Sequence, residues 1–366
     1  IVNELHRRGL HYPVLIGGAA INRRFGRRIL FTESGAPYES GVFYCKDAFE
    51  GLDTMEKLID PAERGDLIGR IITEAEEESG KLGSGKPAVT PRQSTNYQST
   101  NYQSTDIPTP PFWGSRVIRQ MPLEIVLQHL DIDELYRLQW GAKNMHGEEW
   151  VKLKADFDAR LDRMKREAIR AAYLKPQAVY GYYPAQSRGD TLIVYDPNDR
   201  KTEIARFEFP RQPGQDHLAL SDYFAAAESG VMDVVAFQVV TVGHGAAQKF
   251  QELQGRGDYS EAYFLHGLSV EAAEATAEYV HQHVRRELNL SAKRGKRYSW
   301  GYPACPDLAD HQKVFALLPQ VNDLGLELSA AYQLIPEQST AAIVVHHPAA
   351  KYYSVGVSRV AQLMAN

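Results

Sequence analysis

The residues of this 366-residue chain whose types and spacing could do chemistry fall into four groups. The first is Gly17-Gly18, directly after the short apolar run at 12–16. Glycines at the carboxyl end of a parallel strand let backbone approach a ligand closely, and a helix N-terminus behind them favours anionic groups. A plain turn is the simpler account. The second is the acidic pair Glu274 and Glu278, one helical turn apart. Like charges at that spacing cost roughly 0.2–0.5 kcal/mol unless a cation sits nearby. That cation can be His281 or Arg285 on the same stripe, or a cationic ligand. The third is RGKRYSWGYPACP at 294–306, where Gly301 between Trp300 and Tyr302, with two prolines behind it, describes a rigid loop. Such a loop can offer backbone groups to a flat heterocycle while the planar fork of Arg297 clamps a carboxylate, or it can be purely structural. The fourth is Lys351-Tyr352-Tyr353, behind the paired His346-His347. No third ligand stands at useful spacing, so a metal site is not expected, and no Walker loop, nucleophile elbow or HExxH is found.

The elements that must position these groups differ along the chain. Strand-like runs at 12–16 and 41–45 alternate with helical spacing at 19–30, 53–59 and 61–78, the rhythm of a doubly wound parallel sheet of which only the last units are present. The polar stretch near 84–106, with its repeat of Asn-Tyr-Gln-Ser-Thr, cannot bury enough apolar surface to order itself and reads as a linker. Beyond it, helices are predicted over 123–130 and 147–173. Strands follow at 178–183, 191–195, 203–209, 234–242 and 341–345, an α+β domain with a largely antiparallel sheet. The clearest helix covers 270–288, with Val270, Ala273, Ala277, Val280, Val284 and Leu288 as its seam and Ser269 as N-cap.

Composition bounds the function. The 41 basic and 46 acidic residues give a net charge of −5, which argues against a protein that grips nucleic acid. Cys45 and Cys305 are too few for a disulfide framework or a thiolate zinc site, and fit a reducing, cytoplasmic setting. No run reads as a membrane span, no secretory leader is read at the start, and the initial Ile1 reads as the start of a fragment.

Several strings together resemble the carboxyl-terminal part of cobalamin-dependent methionine synthase. RYSWGYPACP at 297–306 resembles that family's RxxxGYPACP loop for S-adenosylmethionine, AEATAEYVHQHVR at 273–285 its binding helix, and KYYSV at 351–355 its Tyr-Tyr element. VLIGGAAINRRFGRRI with VFYCKDA is similar to the end of its cobalamin-binding domain. The resemblance implies a partial cobalamin domain at 1–83, a linker at 84–106 and an activation domain at 107–366. It implies S-adenosylmethionine contacts at Asp131, Glu274, Arg297, Ser299, Gly301, Tyr302, Tyr352 and Tyr353, with no catalytic side chain, and a cobalamin slot lined by Gly17, Gly18 and Ala48. The family's DxHxxG motif, which carries the histidine ligand to cobalt, and its SxL motif are absent and are expected upstream. So are the homocysteine module with its zinc, the folate module and the corrin cap. The implied role is reductive methylation of oxidised cobalamin, with S-adenosylmethionine as methyl donor and flavodoxin or a similar carrier as electron donor. The alternative is a non-catalytic S-adenosylmethionine-binding module that repairs a separate corrinoid protein in trans. The segment Tyr298-Ser299-Trp300 is bulkier than that family's loop leads one to expect.

Overall fold

The structure, a computed structural model, describes residues 2–17, 26–27, 29–32, 35–45, 48–80, 107–212, 216–291 and 294–353. Gly18, most of the helix expected over 19–30 and the linker expected over 84–106 lie outside the described residues. The chain divides into two compact units, 1–95 and 96–366.

In the first unit, α1 (Val2–Arg7) precedes β1 (Val14–Ile16), which pairs in parallel with β2 (Val42–Tyr44), Leu15 opposite Phe43. Two helices follow, α2 (Ala48–Ile59) and α3 (Pro61–Gly80). Pro61 opens α3, where its missing N–H costs nothing. Val42, Leu30, Tyr38 and Ala75 form one small core, and Phe43, Leu58 and Leu67 the other. The two sides of a parallel strand are thus both covered, as the apolar runs require.

The second unit is built on a seven-stranded sheet. Its strands are β3 (Gly114–Ile118), β4 (Gln177–Arg188), β5 (Thr191–Tyr195), β6 (Glu203–Glu208), β7 (Asp233–Thr241), β8 (Lys296–Ser299) and β9 (Ser339–Val345). The order is β6-β5-β4-β7-β9-β8, with β3 paired to β4 beside β5, and every strand pairing is antiparallel. β4 carries Ala178, Tyr180 and Tyr182 to one face and Val179, Tyr183 and Ala185 to the other, and both faces are buried. On the first lie α4 (Leu123–Val126) and its following turns, α5 (Gly147–Ala171) and the long α7 (Tyr259–Glu287), preceded by α6 (Gly245–Gly255). The second is covered by α8 (Asp310–Leu317) and the 3-10 turn Pro319–Leu324.

Three departures from the sequence reading have physical causes. Ser269 is not an N-cap: α7 begins eleven residues earlier, where the Asp258 carboxylate accepts from the Glu261 N–H. Ser269 lies buried inside the helix, its hydroxyl donating to the Leu265 carbonyl at 2.7 Å. β4 runs on past Pro184, which a sequence reader takes as a stop. On that flank of β4 the partners of β3 end at Tyr182 and those of β5 begin at Ala185, so the missing N–H falls where neither strand reaches. Finally, the RGKRYSWGYPACP segment is not loop throughout, since Lys296–Ser299 pairs with β9, Arg297 opposite Val344.

Candidate functional site

Beside the core of the second unit lies a cavity of about 580 Å³ lined by His129, Asp131, Glu134, Glu271, Glu274, Glu278, Arg297, Tyr298, Ser299, Tyr302, Pro303, Ala304, Tyr352 and Tyr353. Three chain segments, distant in sequence, build its walls. The first follows α4, where Asp131 caps the short turn Ile132–Glu134 and its carboxylate accepts from the Glu134 N–H at 2.9 Å. The second is the middle of α7, whose residues 271, 274 and 278 recur at steps of three and four and so share one face. The third is β8 and the turn after it.

That turn owes its shape to Gly301, at φ +89°, a backbone conformation that side chains disfavour. The Gly301 N–H donates to the Cys305 carbonyl and the Cys305 N–H to that of Tyr302, both at 3.0 Å, closing the Tyr302–Cys305 bend. The buried Cys305 thiol reaches the Ser299 carbonyl at 3.0 Å; burial first, then Asp310, pushes it up to about 12, so it stays a protonated, structural thiol. Tyr302 is left 63% exposed at the mouth, and Tyr352, 66% exposed, stands edge-on to Tyr298 with centroids 5.4 Å apart. Tyr298 donates to the Lys351 carbonyl at 2.8 Å and so ties the Tyr-Tyr segment to β8.

The electrostatics are one-sided. Five carboxylates, Asp131, Glu134, Glu271, Glu274 and Glu278, face one guanidinium, Arg297. Arg297 Nη2 donates to Glu274 Oε2 at 2.9 Å and Nη1 lies 3.4 Å from Ser299 Oγ. Arg297 is therefore the cation beside Glu274, while the Glu278 carboxylate is held by hydrogen bonds with the His281 ring at 3.2 Å and the Gln282 amide at 3.0 Å. Arg285 takes no part, because it is turned to the Arg294 and Ser291 carbonyls. Burial works against the charge on Glu278, yet these hydrogen bonds bring its carboxyl down to about 2. Glu271 goes the other way. It is 3% exposed, and burial above all, with Glu134, Glu274 and Asp131 near it, pushes its carboxyl up to about 7. Glu134 is raised as well, by burial first and then by Asp131 and Glu274. The Tyr353 hydroxyl is buried without a hydrogen-bond partner among the described residues.

The structure thus brings together Asp131, Glu274, Arg297, Ser299, Tyr302, Tyr352 and Tyr353, while Gly301 shapes the turn without lining the cavity. Sequence reasoning missed His129, Glu134 and Glu271 as lining residues. Glu271 was within reach, since it precedes Glu274 by three residues and the argument that singled out Glu274 and Glu278 extends to it.

In the first unit, a Cβ on Gly17 would stand 3.0 Å from the Cys45 carbonyl, just past the end of the neighbouring strand β2, a close approach that favours glycine. Ala48 begins α2, and Gly18 lies outside the described residues.

Residues 141–365 match the family model described as the vitamin B12 dependent methionine synthase, activation domain. The chain is similar to methionine synthases of Mycobacterium tuberculosis and Mycobacterium leprae, each 33% identical over 97% of this chain. It spans about a third of the length of these relatives, 33% of each. A crystal structure of the MetH reactivation domain bound to AdoHcy has the same fold, with a TM-score of 0.64 at 23% identity over 73% of this chain and 90% of that one. With more than half of its length matched, the chain belongs to the family of the vitamin B12-dependent methionine synthase activation domain.

Proposed function

We propose that the acidic cavity binds S-adenosylmethionine and that the chain serves the reactivation of a cytoplasmic methionine synthase, whose other modules act on homocysteine and methyltetrahydrofolate. One observation carries the reading: five carboxylates around one guanidinium in a cavity the size of a small ligand. A sulfonium ligand bearing an ammonium and a carboxylate has net charge +1. Its two cations suit Asp131, Glu134 and Glu274, and its carboxylate suits the donors of Arg297 not spent on Glu274. The unpaired Tyr353 hydroxyl offers a further polar contact inside, and the exposed rings of Tyr302 and Tyr352 can flank the adenine or the methyl group at the mouth.

Cobalamin, when bound, would supply the cobalt-centred methyl carrier, with flavodoxin or a similar carrier as electron donor. The residues that would line its slot in this chain are Gly17, Gly18 and Ala48. What the cavity residues do is bind, orient and shield a methyl donor: the walls fix the amino-acid end, leaving the sulfonium to be presented at the mouth. This reading is supported by the family to which the chain belongs and by the AdoHcy bound in the structurally similar reactivation domain.

Titration calorimetry of the full chain with S-adenosylmethionine tests it. Saturable one-to-one binding is expected, weakened about tenfold in Glu274→Gln, which removes one charge-assisted partner worth roughly 1.5 kcal/mol. No binding at millimolar ligand would refute the reading.

A further inference from the structure

Glu271 is placed unlike the other acids of the cavity. It is the most buried of the five, and it holds another wall in place, since its Oε1 accepts the backbone N–H of Asp131 at 3.2 Å. Asp131 in turn uses its side chain to cap the turn that carries Glu134. One carboxyl on α7 therefore fixes the main chain of the segment that supplies two further acids. We propose that Glu271 is a positioning and charge-selecting residue of this cavity, which holds Asp131 and releases its proton to solvent when a positively charged sulfonium ligand enters.

Among the described residues, the groups around it leave it no cation of its own. From the capped turn it faces Asp131 and Glu134, and from its own helix Glu274. The cavity walls add Glu278, His129, Tyr302, Tyr352 and Tyr353, and β8 brings Arg297, which is already engaged by Glu274. A buried carboxyl among like charges keeps its proton at a cost that a nearby cation removes. The hydrogen bond from Asp131 survives either way, because a carboxylic acid still offers its carbonyl oxygen to an N–H. The change of charge thus need not move the wall. In the step, the Glu271 O–H bond breaks, the electron pair stays on the carboxylate and the proton passes to buffer.

With a carboxyl that titrates near neutrality in the free protein, linkage sets the size of the effect. Affinity for S-adenosylmethionine should fall about tenfold from pH 8 to pH 6, with about half a proton released per ligand at pH 7. S-adenosylhomocysteine, with the same adenosyl and amino-acid parts but a neutral sulfur, should show the weaker dependence.

The inference rests on the proposed ligand, and calorimetry of the full chain keeps the two apart. Titrations at pH 6, 7 and 8, in buffers of different ionisation enthalpy, give affinity and proton release together. Glu271→Gln keeps an acceptor for the Asp131 N–H but cannot titrate. It should bind with no pH dependence beyond that left by the other groups, at wild-type affinity at pH 6 and several-fold weaker at pH 8. Binding by the wild type with flat pH dependence and no proton release overturns the inference and leaves the ligand standing. If the ligand does not bind, both fall. Carbon-13 NMR of the glutamate carboxyls in the unliganded protein gives an independent reading: Glu271 fully ionised at pH 6 would also overturn it.

Discussion

Replacing Gly267 by alanine inverts the usual outcome of that change in a helix. In an exposed helix interior the substitution stabilises by about 1 kcal/mol, because glycine gives up more backbone freedom on folding. In α7, however, the new Cβ would stand 2.8 Å from Trp140 Cδ1, 3.0 Å from its Nε1 and 3.1 Å from Gln139 Cβ. The indole cannot retreat. It is 2% exposed, its Nε1 donates to the Phe264 carbonyl at 3.1 Å, and the rings of Phe157 and Phe264 meet it edge-on at 5.1 Å. Forcing an extra carbon into such a contact costs typically 1–3 kcal/mol, and an indole locked on several sides puts this site in the upper half of that range. After the helix gain of about 1 kcal/mol is subtracted, a net destabilisation of about 1–2 kcal/mol is expected. The assay is urea denaturation followed by tryptophan fluorescence, which reports on the second unit alone because Trp113, Trp140, Trp150 and Trp300 all lie in it. In a Trp140→Leu background, where the wall is gone, Gly267→Ala should turn neutral or stabilising. A midpoint that is unchanged or raised by Gly267→Ala in the wild-type background would refute the reasoning, and with it the view that α7 is seated by this one close approach.

Acid should destabilise the second unit through His347. Burial first, then the neighbouring His346 and Arg294, bring this histidine down to about 4. The folded state thus favours its neutral form while the unfolded chain binds a proton near 6.5, so stability is lost as pH falls from about 6.5 to 4, by about 2–3 kcal/mol. Thermal melts across that range should show the slope, and His347→Gln should flatten it; an equal slope in the variant would dismiss His347 as its source. Gly181→Ala should cost about 2–3 kcal/mol or more, because the added carbon would lie 2.9 Å from Ser115 Cα and closer still to the Gly114 carbonyl, backbone that cannot step aside while β3 stays paired. Hydrogen exchange should then show β3 losing protection first, and unchanged protection there would contradict the expectation.

Much of the architecture was legible because it follows from periodicity. The buried strand β7 is an apolar run, and the seam of α7 from Val270 onward repeats at three and four residues. What was hidden shares one cause, that tertiary contact overrides local preference. Ser269 reads as an N-cap, whereas it lies within the helix, because α7 is continued back past Gly267, whose close approach to Trp140 leaves no room for a side chain, and Ser269 turns its hydroxyl back to Leu265. Pro184 reads as a strand end, and only the gap between the partners of β3 and β5 makes it tolerable. At the site, the loop and the Tyr-Tyr segment stand out by composition. Glu134 and Glu271 do not, because a glutamate on a helix is ordinarily solvated and nothing local marks one as 3% exposed.

The 29 residues of α7 extend about 43 Å as one rod, with the Trp140 contact near its first third and the carboxylates 271, 274 and 278 beyond it. A single residue inserted between Gly267 and Glu271 would swing all three acids through about 100° while leaving the earlier turns seated. The helix therefore works as a ruler that tolerates exchange of side chains but not a change of count, and length differences among related sequences should accumulate outside the stretch from Gly267 to Glu278.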